Sequence, residues 1–422
     1  MILAVVGGGG REHAIIKKLK ENKTIEKIYA IPGNGGIAED AECVAIGATE
    51  IDKVVEFCAS HKVDYVVVAP DDPLVLGMTD ALKEAGIPSF GPSKAAAIIE
   101  GSKVFSKNLM KKYGIPTAEY EVFSDPCEAY KYVESCPIPT VIKADGLALG
   151  KGVIIAETRD EAKAAVKTIM EDKKFGKSGD EIVIEEFLTG PEVSVLSFTD
   201  GKTVVPMVSS MDHKRALDGD KGLNTGGMGT VAPNPYYTEA VAKECMEKIF
   251  LPTMEAMNKE GRTFKGCLYF GLMITPTGPK VIEYNCRFGD PETQVVLPLL
   301  DSDLFDIMRA VSEERLSDMD IKWKEESAAC VIIASGGYPG SYAKGYPIEL
   351  PEDRRGIYVA GAELKDGVPV TSGGRVLGVT ETANSLEEAV KKAYETAGKV
   401  HFKDSHMRHD IGKRALSALG IK

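Results

Sequence analysis

Over the first hundred residues, short apolar runs alternate with stretches in which apolar positions recur at helical spacing. Residues 2–6, 25–31 and 65–69 are near-continuous apolar runs of the kind that form buried parallel strands. Residues 11–20, 51–61 and 74–85 carry the three-to-four-residue period of amphipathic helices between them. Strand and helix in alternation predict a doubly wound parallel sheet, an α/β unit. Ligands of such sheets sit beyond the carboxyl ends of the strands. The loops at 7–10, 32–36 and 70–73 therefore lie on the working edge.

After a helix over 102–113 the pattern changes. Strands come as hairpin-like pairs, 140–144 with 153–156 and 182–187 followed by 193–198. A long helix over 239–260 precedes two strands, 266–274 and 280–285. This is α+β character. Strands at 328–334 and 374–380, then a helix from Leu386, predict a small C-terminal α+β domain. The expected division is an N-terminal Rossmann-like substrate-binding domain (1–101), a central domain (102–326) and a C-terminal domain (327–422).

Length and composition narrow the class. A chain of 422 residues exceeds one ordinary core. No apolar run approaches the roughly 18 residues of a membrane span. The N-terminus has no basic segment before its apolar stretch, so a signal peptide is not expected. A net charge of −12 disfavours nucleic acid and anionic membranes as partners. The eight cysteines are scattered without a C-x-x-C pair, which predicts reduced thiols and a cytoplasmic location.

Candidate chemistry enters with the glycine-rich runs. Gly7–Gly10 follows a strand and opens a helix, a natural phosphate site. A dinucleotide fingerprint fails, because its last glycine would fall on Glu12 or His13 and the second strand ends without a carboxylate. A nicotinamide-dependent dehydrogenase is thus disfavoured. Between two predicted strands, residues 143–153 (KADGLALGKGV) offer three glycines and two lysines, Lys143 and Lys151, for phosphate oxygens. The run is not a Walker A loop; its glycine spacing is one residue short. Glu185 and Glu186 end a strand and Glu192 follows, so backbone groups there can read a base and a carboxylate can hold a ribose. Lys214 and Arg215 sit beside Asp212 and His213, and Asn224-Thr225-Gly226-Gly227 follows. Such cations and free N–H groups suit an anionic substrate or a transferring phosphoryl group. On a strand, Glu283, Asn285 and Arg287 share one face, two hard oxygen ligands beside a phosphate-binding guanidinium, with Ile282 and Tyr284 facing the core. Asp290 and Glu292 in the next turn can touch a substrate amine. A solvated turn is the competing reading of each of these runs taken singly.

Together these stretches resemble the ATP-grasp superfamily and, within it, the phosphoribosylamine–glycine ligases. The resemblance runs end to end: GGGGREHA, GPSKAAAIIEGSKVFSK, IKADGLALGKGV, EEFLTGPEVS, DHKR, NTGGMG, IEYNCRFGDPETQ, SGGYPG and GGRVLGV occur in the family's order. It implies a central ATP-grasp domain with a mobile lid at about 120–190. It also implies ATP and Mg2+ (or Mn2+) as cofactors, and ligation of glycine to 5-phosphoribosylamine by a monomer. By the same resemblance, Lys103, Lys143, Gly150 and Lys151 are nucleotide phosphate ligands; Glu185, Phe187 and Leu188 contact adenine and Glu192 the ribose. Glu283 and Asn285 hold the metal; Arg287, Lys214 and Asp212 act at the reacting groups. Gly8, Gly9, Gly10, Asn224, Thr225, Gly226 and Asp290 bind substrate. Asp71 stands where the family has Glu, Leu223 where it has Pro, and Val359 in a segment that usually begins with His. Because the chain stops after the C-terminal domain, a monofunctional enzyme is expected rather than a fused one. The rivals are another ATP-grasp ligase, such as a biotin carboxylase, and a nucleotide-binding module on the first sheet.

Overall fold

The computed structural model describes residues 1–147 and 152–421. Its N-terminal segment is a five-stranded parallel sheet of β1 (Ile2–Gly7), β2 (Lys27–Pro32), β3 (Glu42–Cys43), β4 (Tyr65–Val68) and β5 (Ser89–Phe90). The strand order is β3-β2-β1-β4-β5. Leu3, Ala4, Val5 and Val6 are fully buried, as a strand covered on both faces requires. The order reverses beside β1, so the loop after it lies at the switch point where such sheets bind ligands. The single helix expected over 74–85 is two, Asp71–Leu76 and Met78–Glu84. Gly77 separates them with a φ of +101°, outside helical space.

Two antiparallel sheets of four strands follow. One aligns Tyr120–Phe123, Ile182–Glu186, Thr140–Ala144 and Val153–Ala156, in that order. It has a core of its own, in which Ala129, Val133, Ile142, Val166, Ile169 and Ile184 pack together. The other aligns Val204–Pro206, Glu192–Thr199, Gly266–Thr275 and Gly278–Asn285. The strands read as a pair at 182–187 and 193–198 therefore belong to different sheets. The chain crosses between them at Gly190, whose left-handed φ of +148° sets it against the Ile274 carbonyl. The long helix over 239–260 contains a π turn, Met246–Phe250, immediately before Pro252. Proline supplies no N–H to the preceding turn, which accounts for the widening there.

The last sheet has the order Met211–Asp212, Gly229–Ala232, Ser327–Ser335, Arg375–Ala383, Ile357–Val359, with helix Leu386–Ala397 packed on the two long strands. Its first two strands come from the middle of the chain. The DHKR and NTGGMG segments are thus built onto the edge of the C-terminal sheet, a placement the local pattern does not reveal. Among the described residues no helix is long and apolar enough to cross a membrane.

Candidate active site

The two antiparallel sheets face each other across a groove lined with buried charge. From helix Lys103–Tyr113, capped by the Ser102 hydroxyl, Lys103 donates to the Gly146 carbonyl at 2.8 Å. One turn later on the same face, Lys107 meets Glu185 Oε2 at 3.0 Å. Lys143 meets the other oxygen, Oε1, at 3.0 Å. Burial pulls the Lys107 ammonium down to about 8 against the attraction of Glu185. The Glu185 carboxylate is thus committed to two lysines, so contacts from this strand end to a base fall to its backbone and to the half-buried Phe187 and Leu188. Gly150 and Lys151 lie outside the described residues.

Across the groove, strand Gly278–Asn285 does not alternate evenly. The ladder shifts register, pairing Leu272 with Val281 and Gly271 with Glu283, so residue 282 bulges. Val281 and Tyr284 enter the core, and Ile282, expected there, instead presents its carbonyl to Lys143 at 3.1 Å. Burial alone would raise the Glu283 carboxyl. Lys214, Lys143, Lys103 and Arg287 outweigh it and hold Glu283 below the ordinary carboxylate range. Lys143, Lys214 and Arg287 have carboxylate partners of their own in Glu185, Glu192 and Glu100, so the groove is a network of paired charges in which Glu283 faces four cations at once. Asn285 Oδ1 accepts from Arg287 at 3.1 Å. Glu283 and Asn285 supply two hard oxygens, and no group of three His, Cys, Asp or Glu that could hold a metal occurs among the described residues. These two hard oxygens are donors of the kind that would suit a magnesium ion.

Arg287 is anchored by Glu100, at 3.1 Å from the guanidinium, while Glu100 also accepts from the Cys286 N–H at 2.7 Å. The buried Nε of Arg287 has no partner among the described residues. Asp71, which stands where the family has Glu, is half-buried and faces Arg287 and Arg11. Burial raises its carboxyl, and those two arginines bring it below the ordinary range.

The DHKR segment is held by its neighbours. His213 is 3% exposed. Its Nε2 accepts from the Gly412 N–H at 3.2 Å, which leaves the proton on Nδ1 to donate to the Gly229 carbonyl at 3.0 Å. Burial lowers this imidazole to about 4. It is a neutral, fully bonded wedge rather than a proton carrier. Lys214 pairs with Glu192 at 3.0 Å, and its carbonyl receives both the N–H and the hydroxyl of Thr225, each at 2.8 Å. Asp212 is half-buried near Glu292. Burial and that like charge raise the Asp212 carboxyl well above its ordinary value. Asn224 is exposed at the end of its strand, and Gly226 donates to Tyr338 Oη at 3.1 Å.

Asp290 stands where the N-terminal, central and C-terminal parts meet. It accepts from Gln294 at 2.7 Å and pairs with Arg375 at 3.2 Å. A Cβ on Gly9 or Gly10 would come within 3.5 or 3.7 Å of its oxygens. In the glycine loop, Glu12 folds back to accept from the Gly9 N–H at 2.6 Å. That donor is spent internally, and Gly8 abuts the Gly33 carbonyl. A cavity of about 440 Å³ beside the loop is lined by Gly8, Gly33, Asn34 and Gly35 from the first domain and by Ala360, Glu363 and Ser372 from the last.

Three models of the phosphoribosylglycinamide synthetase family match in succession: the N domain over residues 1–100, the ATP-grasp (A) domain over 101–293 and the C domain over 328–414. The chain belongs to the phosphoribosylglycinamide synthetase family. A phosphoribosylamine–glycine ligase of Clostridium acetobutylicum is 47% identical over 414 residues, 98% of this chain and all of the relative. The crystal structure of the Thermotoga maritima phosphoribosylamine–glycine ligase superposes with a TM-score of 0.87 at 35% identity, covering 97% of this chain and all of that one. A biotin carboxylase from Campylobacter jejuni superposes at 0.75 with 13% identity, covering 96% of this chain and 92% of that one, which shows a shared fold alone. As a member of this ATP-grasp ligase family the chain is an enzyme that uses ATP.

For a synthetase of this family, the structure brings Lys103, Lys143, Glu185, Lys214, Glu283, Asn285 and Arg287 to one groove, with Asp290 and the glycine loop at its mouth. It adds Lys107, Glu100, Arg11, Tyr338 and Arg375, which the sequence reading left unassigned. Lys107 was within reach of sequence, four residues beyond Lys103 on one helix face. Arg375 was not, since nothing local places residue 375 beside residues 226 and 290.

Proposed function

We propose that this chain joins glycine to 5-phosphoribosylamine at the expense of ATP, giving glycinamide ribonucleotide, ADP and phosphate. The observation that carries it is the ring of Lys103, Lys143, Lys214 and Arg287 about Glu283, opening onto the half-buried Asp290. A reaction without a protein nucleophile needs this kind of positioning and charge neutralisation. Glycine's carboxylate takes the γ-phosphoryl group to form glycyl phosphate and releases ADP. The amine then attacks the acyl carbon, phosphate departs, and the new ammonium gives up a proton.

In this reading Lys103 and Lys143 neutralise nucleotide phosphates, and Gly150 and Lys151, outside the described residues, are assigned the same role. Glu185, Phe187, Leu188 and Glu192 line the nucleoside, while Arg287 and Lys214 hold the transferring phosphoryl and acyl oxygens. Asp212 with Asn224, Thr225 and Gly226 borders glycine. Asp290 faces the amine, and the loop Gly8–Gly10 with its adjoining cavity takes the pentose phosphate. A magnesium (or manganese) ion on Glu283 and Asn285 would draw charge from the phosphate oxygens. Exposed large apolar side chains such as Leu76, Leu251 and Leu419 lie on separate elements, which favours a monomer. Eight free cysteines suit the cytoplasm.

The test is ADP release with Mg2+, glycine and phosphoribosylamine generated in situ, each omitted in turn. ADP only when all are present, with alanine unable to replace glycine, supports the assignment. ATP hydrolysis driven by bicarbonate or another carboxylate refutes it.

A further inference from the structure

Two motifs of the C-terminal domain, SGGYPG and GGRVLGV, have no part in the groove described so far, yet both end at its mouth. Tyr338 closes over Gly374, where any Cβ would collide with its ring. Its hydroxyl accepts from the Gly226 N–H at 3.1 Å. The neighbouring Arg375 donates from one nitrogen to the Gly226 and Asp290 carbonyls, both at 2.8 Å, and places another 3.2 Å from the Asp290 carboxylate. One guanidinium thus ties the glycine loop of the NTGGMG segment to the turn after the metal strand. Gly226 is small for a reason: a Cβ there would stand 3.0 Å from the centre of that guanidinium. Arg375 approaches Asp290 from one domain while the loop Gly9–Gly10 approaches it from another.

We propose that Arg375, braced by Tyr338, is the positioning residue of the amine site: it fixes the Asp290 carboxylate against the glycine loop and thereby sets affinity for the amine substrate. The inference rests on the ligase reading above. The charged and titratable groups facing Asp290 are Arg375 from the C-terminal sheet, Arg11 from the first helix, Arg287 and Glu292 from its own segment, and Cys330 from the long C-terminal strand. Burial raises the Asp290 carboxyl, and Arg375 and Arg11 outweigh it to keep it ionised.

The experiment compares Arg375→Gln, Arg375→Lys and Tyr338→Phe with the full-length wild type in steady-state ADP release, varying phosphoribosylamine, glycine and ATP separately across pH. Loss of a buried charge-assisted bond predicts a KM for the amine raised about 10-fold or more in Arg375→Gln, with KM for ATP within about 3-fold. The acid limb of kcat/KM for the amine moves to higher pH, since Asp290 has lost its nearest cation. Arg375→Lys restores the pH limb but not the full KM, because it keeps charge and loses the fork. Tyr338→Phe gives a smaller rise in the same KM. Equal rises for ATP and amine with no movement of the pH limb overturn the proposal. So does an unfolded Arg375→Gln accompanied by a Tyr338→Phe of unchanged kinetics. A wild type that makes no ADP from these substrates overturns the ligase reading and this inference together, whereas wild-type turnover with unmoved variants overturns the inference alone.

Discussion

His213 connects the pH dependence of stability to the geometry of the site, and the size of the effect follows from its contacts. With Nδ1 donating to Gly229 and Nε2 accepting from Gly412, the folded protein binds neutral imidazole alone. Protonation requires Nε2 to surrender an acceptor and a cation to sit 3% exposed. The folded pKa of about 4 lies below the ordinary 6.5. Stability from this group is therefore complete above about pH 6.5 and is lost as pH falls toward 4. Linkage gives about 2 kcal/mol lost by pH 5 and a ceiling of about 3 kcal/mol below pH 4. His13, also held neutral by burial, contributes with the same sign, so the wild type alone does not isolate the effect. The comparison is with His213→Gln, whose amide can bond both partners and cannot titrate. Urea midpoints of the two proteins should converge by about 2 kcal/mol between pH 7 and pH 5. With only six histidines, 15N-histidine spectra can follow the same ring directly, reading an Nδ1–H tautomer that resists protonation at pH 5. A stability difference independent of pH, or a His213 resonance titrating near 6.5, would refute the reasoning.

Other consequences are as direct. Glu283→Gln removes the one carboxylate at the centre of four cations; we expect metal-free ATP to bind more tightly in equilibrium titration while turnover with Mg2+ falls about 100-fold or more. Gly227→Ala should cost about 3 kcal/mol or more in denaturant unfolding, because φ is +114° and a Cβ would meet Pro291 at 2.5 Å and Asp212 at 2.7 Å. Gly226→Ala, which meets only the movable end of Arg375, should cost about 1 kcal/mol; equal losses at the two positions would contradict this account of the loop. Lys107→Met leaves Glu185 with Lys143 in a one-to-one pair, so its unfolding midpoint should stay close to wild type while KM for ATP rises; strong destabilisation would show that both lysines are needed to neutralise the carboxylate.

How far such features were legible depends on the range over which residues act. The parallel sheet could be read because β1 and β4 are near-continuous apolar runs and the helices between them keep one period. The break at Gly77 was missed, since helical spacing continues across it and the interrupting φ leaves no trace in apolar pattern. The bulge at Ile282 was missed for a different reason: a perfect alternation was assumed, and one unpaired residue shifts which side chains reach the core. The groove residues could be named because their motifs are contiguous and chemically distinctive. What those residues do with one another could not, as with Glu185, whose carboxylate is taken up by Lys107 and Lys143, and Glu192, paired to Lys214.

The glycines show where local pattern ends and tertiary structure begins. NTGGMG reads as a flexible loop, and flexibility suggests a strand of chain waiting for substrate. In the fold its glycines record close approach instead: Gly226 gives way to Arg375, Gly227 to Pro291 and Asp212, and Gly229 to the Cys330 carbonyl and Ile411. Four of those five neighbours, all but Asp212, lie more than sixty residues away in sequence, so the run is the negative image of groups that it does not contain. The loop's N–H groups are taken up in the same way, Thr225 bonding to the Lys214 carbonyl, Gly226 to Tyr338, Gly227 to the Thr225 hydroxyl and Met228 to the His213 carbonyl, so the segment is fixed by the protein around it. The C-terminal domain, which brings no groove residue identified from sequence, thus shapes the mouth of the groove through Arg375 and Tyr338, which hold Gly226 and Asp290 in place.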